Sequence, residues 1–497
     1  MKKPDSALWQ LIQGLSMAER RYFHIFSSRH FPKDNQYYRL FQAISGQETY
    51  DETALHTQFA KDKSKSYFAV LKRQLFDALL ESLHHFETYD DPVQHIIRGV
   101  HYSQILLQRG LFEACARSIA KYKSAAYALE QFEQVIALIS LEKKLASRQQ
   151  FEHQSNDDID ALEQEEIQCL HFIKLNAAYW KHSSHIYKLH YAKHIGPGKN
   201  NSELNAVLAH PLFAQTEKAE TFIAQLDKLQ IHALHAFAAQ DAKKAFTYNQ
   251  SFLQLMDNHP HLRDAHADRY FATLNNYLID CVLTEQHTAL LNGIDTLQTL
   301  PANRTFRHIP NIQTQVFRIS NQLLLNYYIG NEKFEAALSI ADAVHAGWKQ
   351  NQSRMAQPHI ITLLYLCAYT EINTGLTERC LNTLQHLFAV CHAEDIGDLY
   401  ASARIMQILA HYERGDILLI DSLISAFNRS AATRQHRSET YTVLFKFLKQ
   451  SIRNPNKPIK NTLIKNLKKL SAEPAEQRVF NIFNFIYWTE RCLVMRG

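Results

Sequence analysis

The chain has 497 residues, of which 54 are basic and 49 acidic, for a formal net charge of +5. At ~150 residues to a domain that is room for about three domains or one long array, and 46% apolar with 21% charged residues is the balance of a folded, water-soluble chain. Thirteen glycines and twelve prolines exclude a collagen-like, loop-rich or low-complexity protein, and a charge so near neutrality selects no partner.

Apolar residues recur at helical spacing along nearly the whole chain, and no alternating pattern of useful length interrupts them. The expected fold class is therefore all-α. Lys2 and Lys3 precede a stretch broken by Gln10 and Gln13 with no small-residue cleavage site, which is not a signal peptide. Apolar runs such as residues 361–369 stop short of the ~20 residues a membrane-spanning helix needs, so a cytoplasmic protein with no membrane partner is expected. The seven cysteines (Cys115, Cys169, Cys281, Cys367, Cys380, Cys391 and Cys492) are scattered and form no Cys-x-x-Cys pair, which fits reduced thiols rather than a disulfide framework or a zinc ribbon.

Residues 1–90 read as a separate helical domain with breaks near Gly14, Pro32 and Gly46. Ser16 followed by Glu19 is a capping-box pattern, and Asp51 can cap the helix that carries Leu55 and Phe59. Residues 51–83 can be drawn as helix, turn and longer helix with Lys61, Lys63, Lys65, Lys72 and Arg73 around the turn. Yet residues 1–90 hold 12 basic and 11 acidic groups, without the basic excess of a DNA reader, and Tyr67, Phe68, Leu71, Leu75, Leu79 and Leu83 mark the longer helix for packing. Pro92, after Asp90 and Asp91, suits the first turn of the next helix and sets the boundary.

From there a hairpin rhythm runs through residues 91–475. Turn signals stand at Gly110, Gln240-Asp241, Glu285-Gln286, Gly330-Asn331, Gly375 and Gly415-Asp416, at intervals near 40 to 45 residues from Gln240 onward, while the span from Gly110 to Gln240 divides into three units of about 43. Each such unit leaves an apolar face that only the next can cover, so the array grows by stacking. Tyr102, Ser103, Leu106, Gly110, Phe112 and Cys115 have the residue sizes and spacing of a tetratricopeptide repeat, and Leu324, Tyr328, Phe334 and Ala337 repeat them, with Gly330 two residues early. Around Gly375, Ala368, Cys380 and Leu384 keep part of the pattern. The chain thus resembles a divergent member of the tetratricopeptide-like helical-repeat superfamily. That resemblance implies an α-solenoid, a helical-hairpin superhelix that holds a peptide or protein on its concave face. Residues 476–497 would form a C-terminal capping helix, with Phe480, Phe483 and Tyr487 on its buried stripe.

No constellation for catalysis emerges. The segment Gly196-Pro197-Gly198-Lys199 lacks the spacing of a phosphate loop, and neither Gly-x-Ser-x-Gly nor His-Glu-x-x-His occurs. His182, His185, His190 and His194 share one expected helix but spread around it, and only His190 and His194 could share a metal. His84-His85, His232/His235 and His259/His261/His266 read the same way, as surface or interface histidines. The acidic run Asp157, Asp158, Asp160, Glu163, Glu165 and Glu166 lies where a helix begins and complements its dipole. Residues 440–472 are less evenly charged, with eight basic residues (Lys446, Lys449, Arg453, Lys457, Lys460, Lys465, Lys468, Lys469) and no acidic one. Ile459, Leu463, Leu467 and Leu470 make one face of a helix there and the lysines the other, so Lys460, Lys465, Lys468 and Lys469 are the candidate partner-binding residues.

The expected function is a non-enzymatic protein-protein interaction scaffold or adaptor that needs no cofactor or metal. The alternative is a nucleic-acid-associated regulator with a helix-turn-helix-like N-terminal domain and a helical-repeat sensor.

Overall fold

The computed structural model describes residues 7–30, 36–47, 49–60, 65–87, 92–191, 201–214, 221–390, 397–429, 438–453 and 460–495. Every regular element among these residues is helical, as the apolar spacing requires. The chain divides into two compact units, Met1–Thr284 with Ala302–Pro310, and Glu285–Pro301 with Asn311–Gly497; positions 90 and 475 lie inside the first and the second.

The first unit begins with α1 (Ala7–Gly14), α2 (Met17–His30), α3 (Gln36–Ser45), α4 (Glu52–Ala60) and α5 (Lys65–Glu87). Their core contains Ile12, Phe23, Leu40, Ile44, Leu55, Phe68, Leu71, Leu75 and Leu79. Both helix starts read from the sequence are realised. Glu19 N–H donates to Ser16 Oγ at 3.2 Å while Ser16 N–H donates to Glu19 at 2.5 Å, and Ala54 N–H donates to Asp51 Oδ1 at 2.9 Å. There follow α6 (Pro92–Gln108), α7 (Phe112–Ala128), α8 (Phe132–Arg148), α9 (Asn156–Tyr191), α10 (Asn201–Leu208), α11 (Pro211–Ala214), α12 (Phe222–Ala238), α13 (Ala242–Asp257), α14 (Pro260–Ala265) and α15 (Ala267–Leu283). Pro92 is the first residue of α6, where its missing N–H costs no hydrogen bond.

The second unit holds α16 (His287–Thr299), α17 (Ile312–Gly330), α18 (Phe334–Asn351), α19 (Gln357–Asn373), α20 (Thr377–Val390), α21 (Gly397–Arg414), α22 (Ile417–Arg429), α23 (Glu439–Arg453), α24 (Lys460–Ser471), α25 (Pro474–Ile482) and α26 (Phe485–Met495). Helix α17 packs on α18 and α19, α19 on α20 and α21, and α21 on α22. The first helices of these three hairpins are therefore neighbours.

What repeats along the chain is a turn geometry rather than a residue. Gly110, Glu130, Gln240, Glu332, Gly375 and Gly415 all have left-handed backbone, with φ of 73°, 51°, 61°, 55°, 79° and 86°. After each, the next N–H reaches back to the carbonyl five residues earlier, as from Leu111 to Leu106 at 3.0 Å, Gln131 to Ala126 at 2.8 Å, Lys333 to Tyr328 at 2.8 Å and Leu376 to Glu371 at 2.9 Å. Glycine is free to take this conformation, whereas a side chain there costs about 1–2 kcal/mol. Both glutamates accept hydrogen bonds from distant groups. Glu130 accepts from the N–H groups of Phe222 at 2.7 Å and Ile223 at 2.8 Å and so caps α12, and Glu332 accepts from Asn484 Nδ2 at 3.2 Å. Gly330, the sequence-read turn, is instead the last residue of α17.

Small residues bring α6 and α7 close. Cys115 Sγ lies 3.3 Å from the Ser103 carbonyl, and a Cβ at Gly99 would stand 2.1 Å from Tyr122 Cδ1. Gly99→Ala is therefore expected to lose about 1–3 kcal/mol in denaturant unfolding, because the α6–α7 pair must separate to admit one methyl group. An unchanged midpoint would mean that the two helices do not pack at this distance.

The C-terminal segment departs from the single capping helix expected. Phe483 is extended (φ −145°, ψ 128°), and Asn484 Oδ1 accepts from Tyr487 N–H at 3.0 Å, so one helix ends and another is capped. The fully buried aromatics are Phe483, Phe485 and Trp488, while Phe480 and Tyr487 are half-buried. The segment also reaches beyond the neighbouring α24. Tyr365 Oη donates to the Ile482 carbonyl at 3.0 Å, Asn484 N–H donates to Tyr369 Oη at 2.8 Å, and Trp488 Nε1 donates to Glu413 at 2.5 Å. It thereby covers one side of α19 and α21 with the chain's own residues.

Candidate functional site

The lysine tract divides into engaged and unengaged groups. Leu463, Leu467 and Leu470 are buried, and Lys465, Lys468 and Lys469 project outward, as the pattern requires. Lys468 Nζ lies 3.1 Å from Glu490 and Lys449 Nζ 3.2 Å from Asp421. Lys465 and Lys469, one turn apart, carry no ion pair with a described residue. Lys460 begins α24, but its side chain, Lys457 and Ile459 lie outside the described residues. The acidic run is partly used locally, since Lys123 and Lys143 hold Glu165 and Glu166.

In the first helices of the first unit, Lys72 is tied to Glu52 and Arg73 faces Asp77 at 3.9 Å. The outward face of α5 carries Arg73, Asp77 and Glu81, so a phosphate backbone would meet more negative than positive charge there. Lys61 and Lys63, and the side chain of Lys65, lie outside the described residues.

The histidines gather in the first unit, but not as ligands. The His182 ring lies 4.5 Å from His210 and 5.3 Å from Phe213, and His232 stacks on Tyr248 at 4.9 Å. Their nitrogens are directed elsewhere: Leu212 N–H donates to His210 Nδ1 at 3.2 Å, and His235 Nε2 bonds Asn205 at 3.1 Å. Burial first, and neighbouring cationic groups second, push His182, His232 and His235 below the usual imidazole range. No group of three or more candidate metal ligands occurs among the described residues; His194, and the side chain of His190, lie outside them. Cys115, Cys169, Cys281, Cys367 and Cys380 are buried, and burial raises each thiol pKa, the opposite of a nucleophile's requirement. No helix among the described residues is long and apolar enough to cross a membrane.

One group of polar residues lies on α17, among the first helices of the second unit. Arg318, at the middle of α17, is half-buried and makes no hydrogen bond or ion pair with a described residue. Burial lowers the pKa of its guanidinium. Burial, and then the charge of Arg318, lower the pKa of His359 near the start of α19. One turn beyond Arg318 on the same face, Gln322 Oε1 is shielded from solvent and has no donor. Helix α17 has no acidic residue, and the single acid of α19, Glu371, is fully buried between His345 and Arg379, each at 2.8 Å. Nothing in the sequence marks Arg318, because what distinguishes it is the lack of an ion pair with any described residue.

No family model matches the chain, and no curated protein and no solved structure was found to be similar to it.

Proposed function

We propose that the chain is a non-enzymatic interaction protein of tetratricopeptide-like design, a superhelix of helical hairpins that binds a peptide or protein segment along its first helices. The observation that carries this reading is the side-by-side arrangement of α17, α19 and α21, joined to their partners by one recurring turn. The Tyr365 and Tyr369 side of α19 is taken by residues 482–484, so the reading puts the partner on the side bearing Gln315, Arg318 and Gln322. Those half-buried polar residues recur every turn along α17.

A photo-crosslinking residue at position 315, in place of Gln315 on α17, is expected to capture a peptide ligand from a displayed library. The same residue in place of Asp342 on α18 should not. Capture from position 342 alone, or from neither, would overturn the reading. The alternative, a nucleic-acid-associated regulator using Lys460, Lys465, Lys468 and Lys469, predicts binding to mixed nucleic acid that falls steeply with salt and weakens in a Lys465→Gln/Lys469→Gln variant.

A further inference from the structure

We propose that the outer face of α9 is a self-association surface, on which a second copy of the chain docks with its own α9 antiparallel to the first. Such a dimer is independent of the peptide-binding reading, since α9 belongs to the first unit and α17, α19 and α21 to the second.

Helix α9 runs for 36 residues and packs on α8, α10 and α12, burying Cys169, Phe172, Tyr179 and Ile186. On the opposite face Glu163, Ile167, Leu170, Lys174, Ala177 and Lys181 are all exposed, Ile167 at 51% and Leu170 at 53%. At 100° per residue these six positions fall within about 80° of the circumference, so they form one stripe. Their spacing alternates between four and three residues, the repeat by which one helix follows another along its length. Trp180, 73% exposed, and the half-buried Ile173 border the stripe on one side and widen its apolar middle.

The order of charge along this stripe selects a second copy as its occupant. Asp160 and Glu163 stand toward the N-terminal end, Lys174, Lys181 and Lys188 toward the C-terminal end, and Ile167 and Leu170 between them. All five charged residues are exposed and carry no ion pair with a described residue, whereas Glu165 and Glu166 of the same helix are held by Lys123 and Lys143. An antiparallel copy reverses the order and sets each end against its opposite. With the two-fold axis level with Phe172, Glu163 meets Lys181 of the second copy, Ile167 meets Ala177, and Leu170 meets the aliphatic stem of Lys174, each contact being made twice. The small Ala177 leaves room for Ile167, so the two helices can approach closely. A parallel copy would set lysine against lysine, and a polyanion on the stripe would meet Asp160 and Glu163.

The test is sedimentation of the full chain over roughly 1–100 μM, where the parent is expected to pass from monomer to dimer. Glu163→Lys and Lys181→Glu each turn two attractive contacts into two repulsive ones, so each is expected to weaken self-association by about tenfold or more. Mixed in equal amounts, the two variants should associate with each other about as tightly as the parent does with itself, because every reversed charge then faces its opposite. That recovery also shows that neither variant lost its fold. Leu170→Gln should weaken the dimer without any change of charge. A parent that stays monomeric throughout, variants that associate as the parent does, or a mixture that gains nothing over its separate components would overturn the α9 dimer.

Discussion

Glu476→Ala is expected to destabilise the second unit by about 2–4 kcal/mol, the cost of leaving several buried donors without an acceptor. Glu476 is buried in the first turn of α25, and its carboxylate lies against the beginning of α23. It accepts from Ser438 Oγ, from Glu439 N–H at 3.0 Å, and from Thr440 N–H at 3.3 Å and Oγ1 at 2.7 Å. One carboxylate thus serves the N-terminal ends of two helices, where orphan amides and the helix dipole both favour negative charge. Burial alone would raise its pKa, but the hydrogen bonds from Ser438, Thr440 and Glu439 outweigh burial and hold it below the usual carboxylate range. The sign follows: its stabilisation is complete above the unfolded-state carboxylate pKa and is lost as pH falls through the lower folded value. Denaturant unfolding of the parent and of Glu476→Ala should accordingly converge in acid. A difference below about 0.5 kcal/mol at neutral pH would show that the cap contributes no more than a surface contact.

Asp280→Asn is expected to have the opposite effect, stabilising the first unit by about 1–3 kcal/mol at pH 8. Asp280 is buried on α15, and the side-chain partner of its carboxylate is Asn249 of α13, whose Nδ2 donates at 2.7 Å. Burial pushes the carboxyl up to about 6, and the Asn249 hydrogen bond only partly opposes it. The folded state therefore favours the protonated acid. Its stabilisation is full below the unfolded-state pKa near 4 and is lost as pH rises through about 6. An asparagine has the same shape and an acceptor oxygen without the buried charge, so the gain should be present above neutrality and vanish by about pH 4. A less stable Asp280→Asn at pH 8 would mean that a cation meets this carboxylate when the protein is ionised.

These effects mark where sequence reasoning stops. The Ser16–Glu19 box and the Asp51 cap join residues three positions apart, so the order of side chains suffices to specify them. The turns at Gly110, Gly375 and Gly415 are visible for a similar reason, since glycine tolerates left-handed backbone. Glu130 and Glu332 adopt the same conformation without a glycine signal, and the groups that hydrogen-bond to them lie 92 and 152 residues away, beyond the reach of local spacing. The lysine face was evident from spacing, whereas the pairing of Lys468 with Glu490 was not.

The all-helical class, the hairpin rhythm and the apolar faces follow from periodicity and turn chemistry, which act over a few residues and are written in their order. The break at Asn484, the return of Phe483 and Trp488 to α19 and α21, and the uses of Glu476 and Asp280 were decided by tertiary structure alone. Each depends on which charges and donors folding places side by side, and linear spacing carries no record of that proximity.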